Sequence, residues 1–338
     1  MWAIMRAPLI AICLFCTAPL QAQNLFDDDG VIEITLRGPL STVFDDTSDR
    51  SERDFVLEFS GREFPVEVRL RGNSRLRVCQ FPPLRLDFHK KQVQGSIFDG
   101  QDKLKLVTHC RNSDRGEQDL LEEYAAYRIL NVLTDLSYRV RLLRIHYEDT
   151  DGKLSKRASP RYGFVIEPAE LLAARTAMEA VTVPAVPLKR HDLDQAALVY
   201  VYQYLIANTD WGLVKADYDD GCCHNVDLFE RDSVLVTIPY DFDLSGLVNA
   251  SYAFPDRTLH IRRVTQRRYR GVCTDRAVLE AAIAKVAGHR TEILAAVGDI
   301  PGLDDKSREK TTEFLYQFFN EAADREKLVD NFEKHCIG

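Results

Sequence analysis

The sequence has no excess of positive charge. Its formal net charge is −8, so bulk charge gives no reason to expect a nucleic-acid binder. Beyond its first residues it also has no uninterrupted apolar run of the roughly 18 residues that a bilayer span needs, and no transmembrane segment is expected. Internal repeats and low-complexity tracts are missing, and no stretch rich in Pro, Gly or Ser separates two independent domains. The 17 glycines and 13 prolines are too few for a collagen-like or disordered chain. A Gly-x-Ser-x-Gly motif is absent, and no His–Ser pairing supports a serine hydrolase. What is there is a chain of 338 residues, 45% hydrophobic and 28% charged, enough for one large domain or two ordinary ones.

Residues 1–22 read as a secretory signal. Arg6 supplies the positive start, Ala7 to Ala18 is mostly apolar, and Leu20-Gln21-Ala22 is a cleavage site ending in a small residue. The mature protein is then exported, periplasmic or secreted. Cleavage near Ala22 removes Cys13 and Cys16 and leaves Cys79, Cys110, Cys222, Cys223, Cys273 and Cys336. An even number of cysteines in an exported chain suggests disulfides. The expected pattern is Cys79–Cys110, with Cys222 and Cys223 reaching Cys273 and Cys336 in either order, because a bridge between adjacent cysteines would be strained. The alternative is a Cys/His zinc site using His224, although the spacing matches no zinc module.

Alternation of apolar and polar residues marks strands in "VIEITLRG", "DFVLEFS", "FPVEVRLRG", "PPLRLDF" and "KLKLV". Helical spacing of Leu121, Tyr124, Ala125, Ile129 and Val132 predicts a helix over 117–133. A hairpin follows, "YRVRLLRIHYE" and "RYGFVIE". Its turn, Asp149-Thr150-Asp151-Gly152, lacks the remaining ligand positions of a calcium loop. From Asp192, a good N-cap, apolar residues recur at Leu193, Ala196, Ala197, Tyr200, Val201, Tyr204 and Leu205 and predict an amphipathic helix. Two short strands come next, "NVDLFE" and "SVLVTIP", and the chain is helical from about Asp275. The expected fold class is α+β, with a β-rich lobe over 23–170 holding one helix, a mainly helical lobe over 171–338, and a cleft between them.

Three polar groups fall at element ends, where a cleft can reach them: Asp210 after the amphipathic helix, His224-Asn225 before a strand, and Asp241 and Asp243 after one. Phosphoryl transfer to a hydroxyl needs one carboxylate to accept or orient the hydroxyl. It also needs an Asn and a second carboxylate to hold Mg²⁺ on the phosphates, and a Lys, placed by a helical Glu, to neutralise phosphate charge. Asp210, Asn225 and Asp241 occur in that order. Taken singly, Asp210 reads as the cap of a turn and Asp241 and Asp243 as ordinary loop acids; it is the ordered set that points to chemistry.

The segments "VRLRGNSR", "DKLKLV", "YRVRLLRIHY", "YGFVIE", "IANTDW", "CHNVDLF" and "IPYDFDLSG" together resemble, in order over about residues 65–250, the CotH kinase family, the spore-coat-protein-H-type atypical kinases. The resemblance implies a two-lobed protein-kinase-like fold that binds ATP with Mg²⁺ or Mn²⁺ and phosphorylates protein Ser or Thr. It implies Asp210 as catalytic aspartate, Asn225 as catalytic-loop Asn and metal contact, Asp241 as metal ligand and Asp243 as a second one. Arg71, Gly72, Asn73 and Ser74 would form the nucleotide-covering turn, and Glu167 would lie at the hinge near the adenine.

The chain departs from the family at two places. Where the family often carries lysines after Arg-Gly-Asn-Ser, it has Pro82-Pro83-Leu84-Arg85. Lys105, or Lys103 on the same strand face, is the candidate phosphate-binding lysine, paired with Glu122 or Glu123 on the following helix. The stretch between Asp210 and Asn225 is long and contains "DYDDGCC". A basic run from Arg257 to Arg276 suits either an acidic substrate or phosphate-rich glycan, or salt bridges on an acidic protein. The leading reading is an exported, ATP- and metal-dependent phosphotransferase whose acceptor, protein or glycan, the sequence does not identify. The alternatives are a non-catalytic binding protein on the same fold and a metal-dependent hydrolase using the same acids on a metal-bound water.

Overall fold

A computed structural model describes residues 25–154, 160–184, 186, 190–213 and 222–338. The signal segment 1–22, and residues 214–221 of the insert between Asp210 and Asn225, lie outside these residues.

The fold mixes α and β. Strands β1 (Ile32–Gly38), β2 (Arg53–Phe59), β3 (Arg62–Leu70), β4 (Leu84–Phe88), β5 (Lys103–Val107), β6 (Val140–Asp149) and β7 (Arg161–Ile166) close a barrel in the order β1-β2-β3-β4-β5-β7-β6. Neighbours run antiparallel except at the closure, where β1 lies parallel to β6 with Ile32 opposite Leu143. The barrel interior is filled by the apolar faces that the alternation predicts, among them Ile34, Leu36, Leu57, Val66, Val68 and Leu86.

Strands β6 and β7 are apolar on both faces, and the structure gives the reason. Leu143 and Val165 point into the barrel, whereas their neighbours Leu142 and Phe164 point into a second core under the helices. That second core is built on α3 (Asp114–Leu133) and α5 (Leu193–Leu205), with α6 (Arg276–Gly288), α7 (Arg290–Gly298), α8 (Asp305–Ala322) and α9 (Arg325–His335) packed around them. A smaller sheet, β8 (Glu179–Val181), β9 (Val226–Arg231) and β10 (Val234–Pro239), has the order β10-β9-β8. Helix α4 (Ala169–Thr176) sits where the two cores meet. Its Leu171 packs on the barrel and its Leu172 is buried in the helical core.

Two short helices have no periodic signal in the sequence: α1 (Leu40–Asp45) and α2 (Arg75–Val78). The Asp149–Gly152 turn is tied to α1. Asp149 accepts hydrogen bonds from the Ser41 amide at 3.1 Å, the Ser41 hydroxyl at 2.6 Å, and the amides of Lys153 and Leu154.

Cys79 and Cys110 are bonded as expected, but the other pairing is different. Cys222 bonds Cys223, and Cys273 bonds Cys336. The C-terminal tail forms a bridge with the segment before α6, Val272 beside Ile337, with the Cys273 amide donating to the Ile337 carbonyl at 3.0 Å. That bridge brings Cys336 to Cys273 and leaves Cys222 and Cys223 with each other. Among the described residues no helix is long and apolar enough to cross a membrane.

Candidate active site

Helix α3 starts at Ser113, whose hydroxyl caps the Gly116 amide at 3.1 Å. It carries two adjacent buried acids, Glu122 and Glu123. Consecutive helical residues point about 100° apart, so the two meet different neighbours. Glu122 faces the C-terminal helices, 2.9 Å from Arg115 and 3.6 Å from Lys310. Burial pushes its carboxyl up to about 7 against the pull of these two cations. Glu123 faces the barrel and meets Arg75 at 2.7 Å.

Arg75 is the buried hub of the site. It opens α2, just after the exposed turn Gly72-Asn73-Ser74, in which Gly72 takes φ +83°. That backbone conformation favours glycine. The Arg75 guanidinium bonds three carboxylates: Glu123 and Asp241 at 2.7 Å each through Nη2, and Asp243 at 2.9 Å through Nε. One oxygen from each of these acids lies within 4.8 Å of the others. Burial pushes Glu123 and Asp243 upward, and the Arg75 charge holds them back. Tyr252 adds a hydrogen bond to Asp243.

Asp241 and Asp243 follow β10 and are fixed by the residue between them. Phe242 is fully buried and packs on Tyr127 of α3 and Tyr202 of α5, with ring centroids 4.6 and 5.4 Å away. The Asp241 amide donates to the Tyr127 hydroxyl at 2.9 Å. Asp241 and Asn225 both hold left-handed backbone, φ +62° and +52°, a conformation that Asp and Asn tolerate better than most residues.

Asp210 lies in the turn after α5. The Ala207 and Ile206 carbonyls accept from the amides of Gly246 and Leu247, each at 3.0 Å, which ties this turn to the Asp241–Asp243 loop. Both Asp210 oxygens are engaged, Oδ1 by His224 Nε2 at 2.9 Å and Oδ2 by Asn225 Nδ2 at 3.0 Å. Asn225 Nδ2 also donates to the Asp210 carbonyl at 2.7 Å. A backbone bridge between Gly212 and His224 holds the two sides together. A cavity of about 480 Å³ opens beside Asp210 and His224, with Trp211, Leu244, Phe254 and Arg270 in its wall.

The expected lysine–glutamate pair does not form. Lys105, on the exposed face of β5, extends its ammonium over the Tyr240 ring, 5.3 Å from the centroid. Desolvation by the surrounding walls lowers its pKa, and Arg71 acts in the same direction against Asp227 and Asp241. The place beside Glu123 belongs to Arg75, and Glu122 faces away. Lys103 lies beside its cross-strand neighbour Asp87, 4.0 Å away. Arg71 is half-buried near Asp241, and its pKa is lowered by burial while Asp241 opposes.

Gly72, Asn73 and Ser74 are exposed at the turn, and Ser74 makes no capping bond with its side chain. The Glu167 carboxylate is committed to a clamp, accepting from Arg175 at 2.8 and 2.9 Å and from the Arg139 amide at 3.1 Å. As for the metal contact expected of Asn225, its side-chain nitrogen donates to Asp210, and its amide oxygen is the atom that could face a cation.

Sequence reading missed Arg75, the role of His224 as partner of Asp210, and Tyr127 and Tyr252. It named Glu123 only beside Glu122. The one available signal was the second arginine of Arg71-Gly72-Asn73-Ser74-Arg75, in a segment already singled out.

No protein-family model and no curated protein matches the chain. Among solved structures, the crystal structure of a Helicobacter pylori proinflammatory kinase CtkA is similar at 12% sequence identity and a TM-score of 0.37, over 75% of this chain and 93% of that chain. A likeness at that level assigns neither a family nor an activity.

Proposed function

We propose that the protein is an exported, ATP- and metal-dependent phosphotransferase of the CotH kinase type, in which the barrel and the helical core form two lobes around the site. The observation that carries the reading is the meeting of two acid groups on one hydrogen-bonded loop pair: Asp210 held by His224 and Asn225, and Asp241 and Asp243 gathered with Glu123 around Arg75. Three paired disulfides agree with export.

In this reading Asp210 accepts the proton of the attacking hydroxyl. His224 and Asn225 fix both of its oxygens, so the carboxylate is oriented before the acceptor arrives. The carboxylates of Glu123, Asp241 and Asp243 are hard oxygen donors of the kind that suits Mg²⁺ or Mn²⁺. They would hold the ion together with the amide oxygen of Asn225. When bound, the ion would neutralise phosphate charge. Arg75 already uses one oxygen of each carboxylate, so the ion would take the remaining oxygens or displace the guanidinium. Arg71 and Lys105 supply further positive charge at the same mouth, with Gly72, Asn73 and Ser74 as the covering turn and Glu167 supporting the hinge.

A second reading, a non-catalytic binding protein, is favoured by one feature: Glu123 is paired with a buried arginine rather than a lysine. Thermal melting with ATP and Mg²⁺ or Mn²⁺, on wild type and Asp241→Ala, tests the first reading. The expected outcome is a nucleotide- and metal-dependent rise in Tm that Asp241→Ala abolishes. No shift and no ATP consumption would overturn it. A shift retained in Asp210→Asn, with no turnover in either protein, would favour the second reading.

A further inference from the structure

The segment Arg257–Arg270 contains six arginines and no Asp or Glu, in a chain of net charge −8. The structure divides them into two groups. Arg267, Arg268 and Arg270 face inward and donate to backbone carbonyls: Arg267 to Phe314 at 2.6 Å, Arg268 to Leu259 at 3.1 Å, and Arg270 to Thr209, next to Asp210. These bonds lash the segment under the Asp210 turn. Gly246 completes the attachment, since a Cβ there would stand 2.5 Å from the Val264 carbonyl.

Arg257, Arg262 and Arg263 are exposed, and among the described residues their guanidinium groups form no ion pair or hydrogen bond. The nearest acid in sequence, Asp256, spends one oxygen on the Thr258 amide and hydroxyl, at 2.8 and 2.7 Å. Just before it, Phe254 is 80% exposed and forms part of the wall of the cavity that holds Asp210.

We infer that this loop is the acceptor-docking surface, and that its partner is an acidic polypeptide presenting a hydroxyl to Asp210. The inference rests on the phosphotransferase reading above. Charge complementarity selects the partner: three unpaired arginines on one short loop match a short run of carboxylates. A long nucleic acid would also meet the repulsion of the acidic remainder of the molecule. Phe254 gives the surface an apolar anchor of the aromatic type that dominates recognition sites. Its place in the cavity wall puts the anchored chain beside the carboxylate. Among the described residues, salt bridges, the other use of such a basic run on an acidic protein, involve none of these three arginines.

The test uses the full oxidised chain and a fluorescent Glu-rich peptide containing one Ser, followed by anisotropy at low and physiological salt. Wild type is expected to bind in a salt-dependent way. The variant R257E/R262E/R263E should bind at least tenfold more weakly while keeping its nucleotide-dependent melting shift, and Phe254→Ala should weaken binding at both salts. Equal binding by the triple variant overturns the inference. So does equally tight binding of a Lys-rich peptide, a single-stranded oligonucleotide or a phosphorylated glycan. If the acidic peptide binds through these arginines but nucleotide never binds, the docking surface stands and the phosphotransferase reading fails. If nucleotide binds and the peptide does not, the docking inference alone fails.

Discussion

At the residue scale the site turns on Arg75. Its guanidinium is buried with three carboxylates, two of them buried as well. Removing one partner of such a cluster strands charge in a low-dielectric place. Arg75→Met keeps the volume and deletes the charge, and should cost about 3–5 kcal/mol in urea unfolding. The double variant Arg75→Met/Glu123→Gln should recover part of that loss, because one stranded charge is removed with it. A second buried group contributes to the pH dependence of stability. His109 is fully buried against Phe81, with ring centroids 4.4 Å apart. Burial, aided by the charge of Arg161, depresses its pKa to about 3. The folded state therefore keeps His109 neutral, while the unfolded chain takes up a proton below its ordinary value of about 6.5. The His109 contribution to stability falls as pH drops from there towards 3, opposite in sign to that of the raised Glu122 carboxyl. At pH 5 the linkage amounts to about 2 kcal/mol, and His109→Leu should raise stability at pH 5 relative to pH 8 by that amount.

At the scale of elements, packing positions the acidic loop. Phe242 is wedged between α3 and α5, and its neighbours Asp241 and Asp243 point the other way, to Arg75. Phe242→Ala should cost about 3–5 kcal/mol. It should also raise hydrogen-exchange rates at the Gly246 and Leu247 amides, which bind the Asp210 turn. Much of this scale is legible in the sequence, since period-two alternation locates the barrel strands and period-3.6 spacing locates α3 and α5. Barrel closure is not, because it rests on parallel pairing of β1 with β6, across Ile32 and Leu143, and no local pattern records a partner so distant in sequence. The order Asp210, Asn225, Asp241 was readable because each residue ends an element. Arg75 was not, because α2 spans only Arg75–Val78, too short to show a period. Glu122 and Glu123 could not be told apart either, since the phase of α3 against the barrel is set by tertiary contacts.

At the scale of the whole molecule, the disulfides divide into those that close chain loops and one that does not. Cys79–Cys110 spans 31 positions and ties the segment after α2 to the segment before α3. Cys273–Cys336 spans 63 and fastens the C-terminal tail to the segment before α6. On the chain-entropy account these two loops are worth about 3–4 and about 4 kcal/mol. Cys222–Cys223 joins neighbours, separation 1, and restricts the unfolded chain hardly at all by the same reasoning. Its position bears on the proposed function instead, because His224 and Asn225, the two partners of Asp210, follow it directly. The three bonds should therefore separate in experiment. Cys79→Ala/Cys110→Ala and Cys273→Ala/Cys336→Ala should each lower unfolding stability by several kcal/mol and leave nucleotide affinity unchanged at temperatures where the protein is folded. Cys222→Ala/Cys223→Ala should barely move the urea midpoint but, on the proposed function, reduce phosphotransfer, by loosening the two hydrogen bonds that orient Asp210. Equal stability losses in all three pairs would show that loop closure is not what these bonds contribute. Full activity in the Cys222/Cys223 variant would separate that bond from the orientation of Asp210.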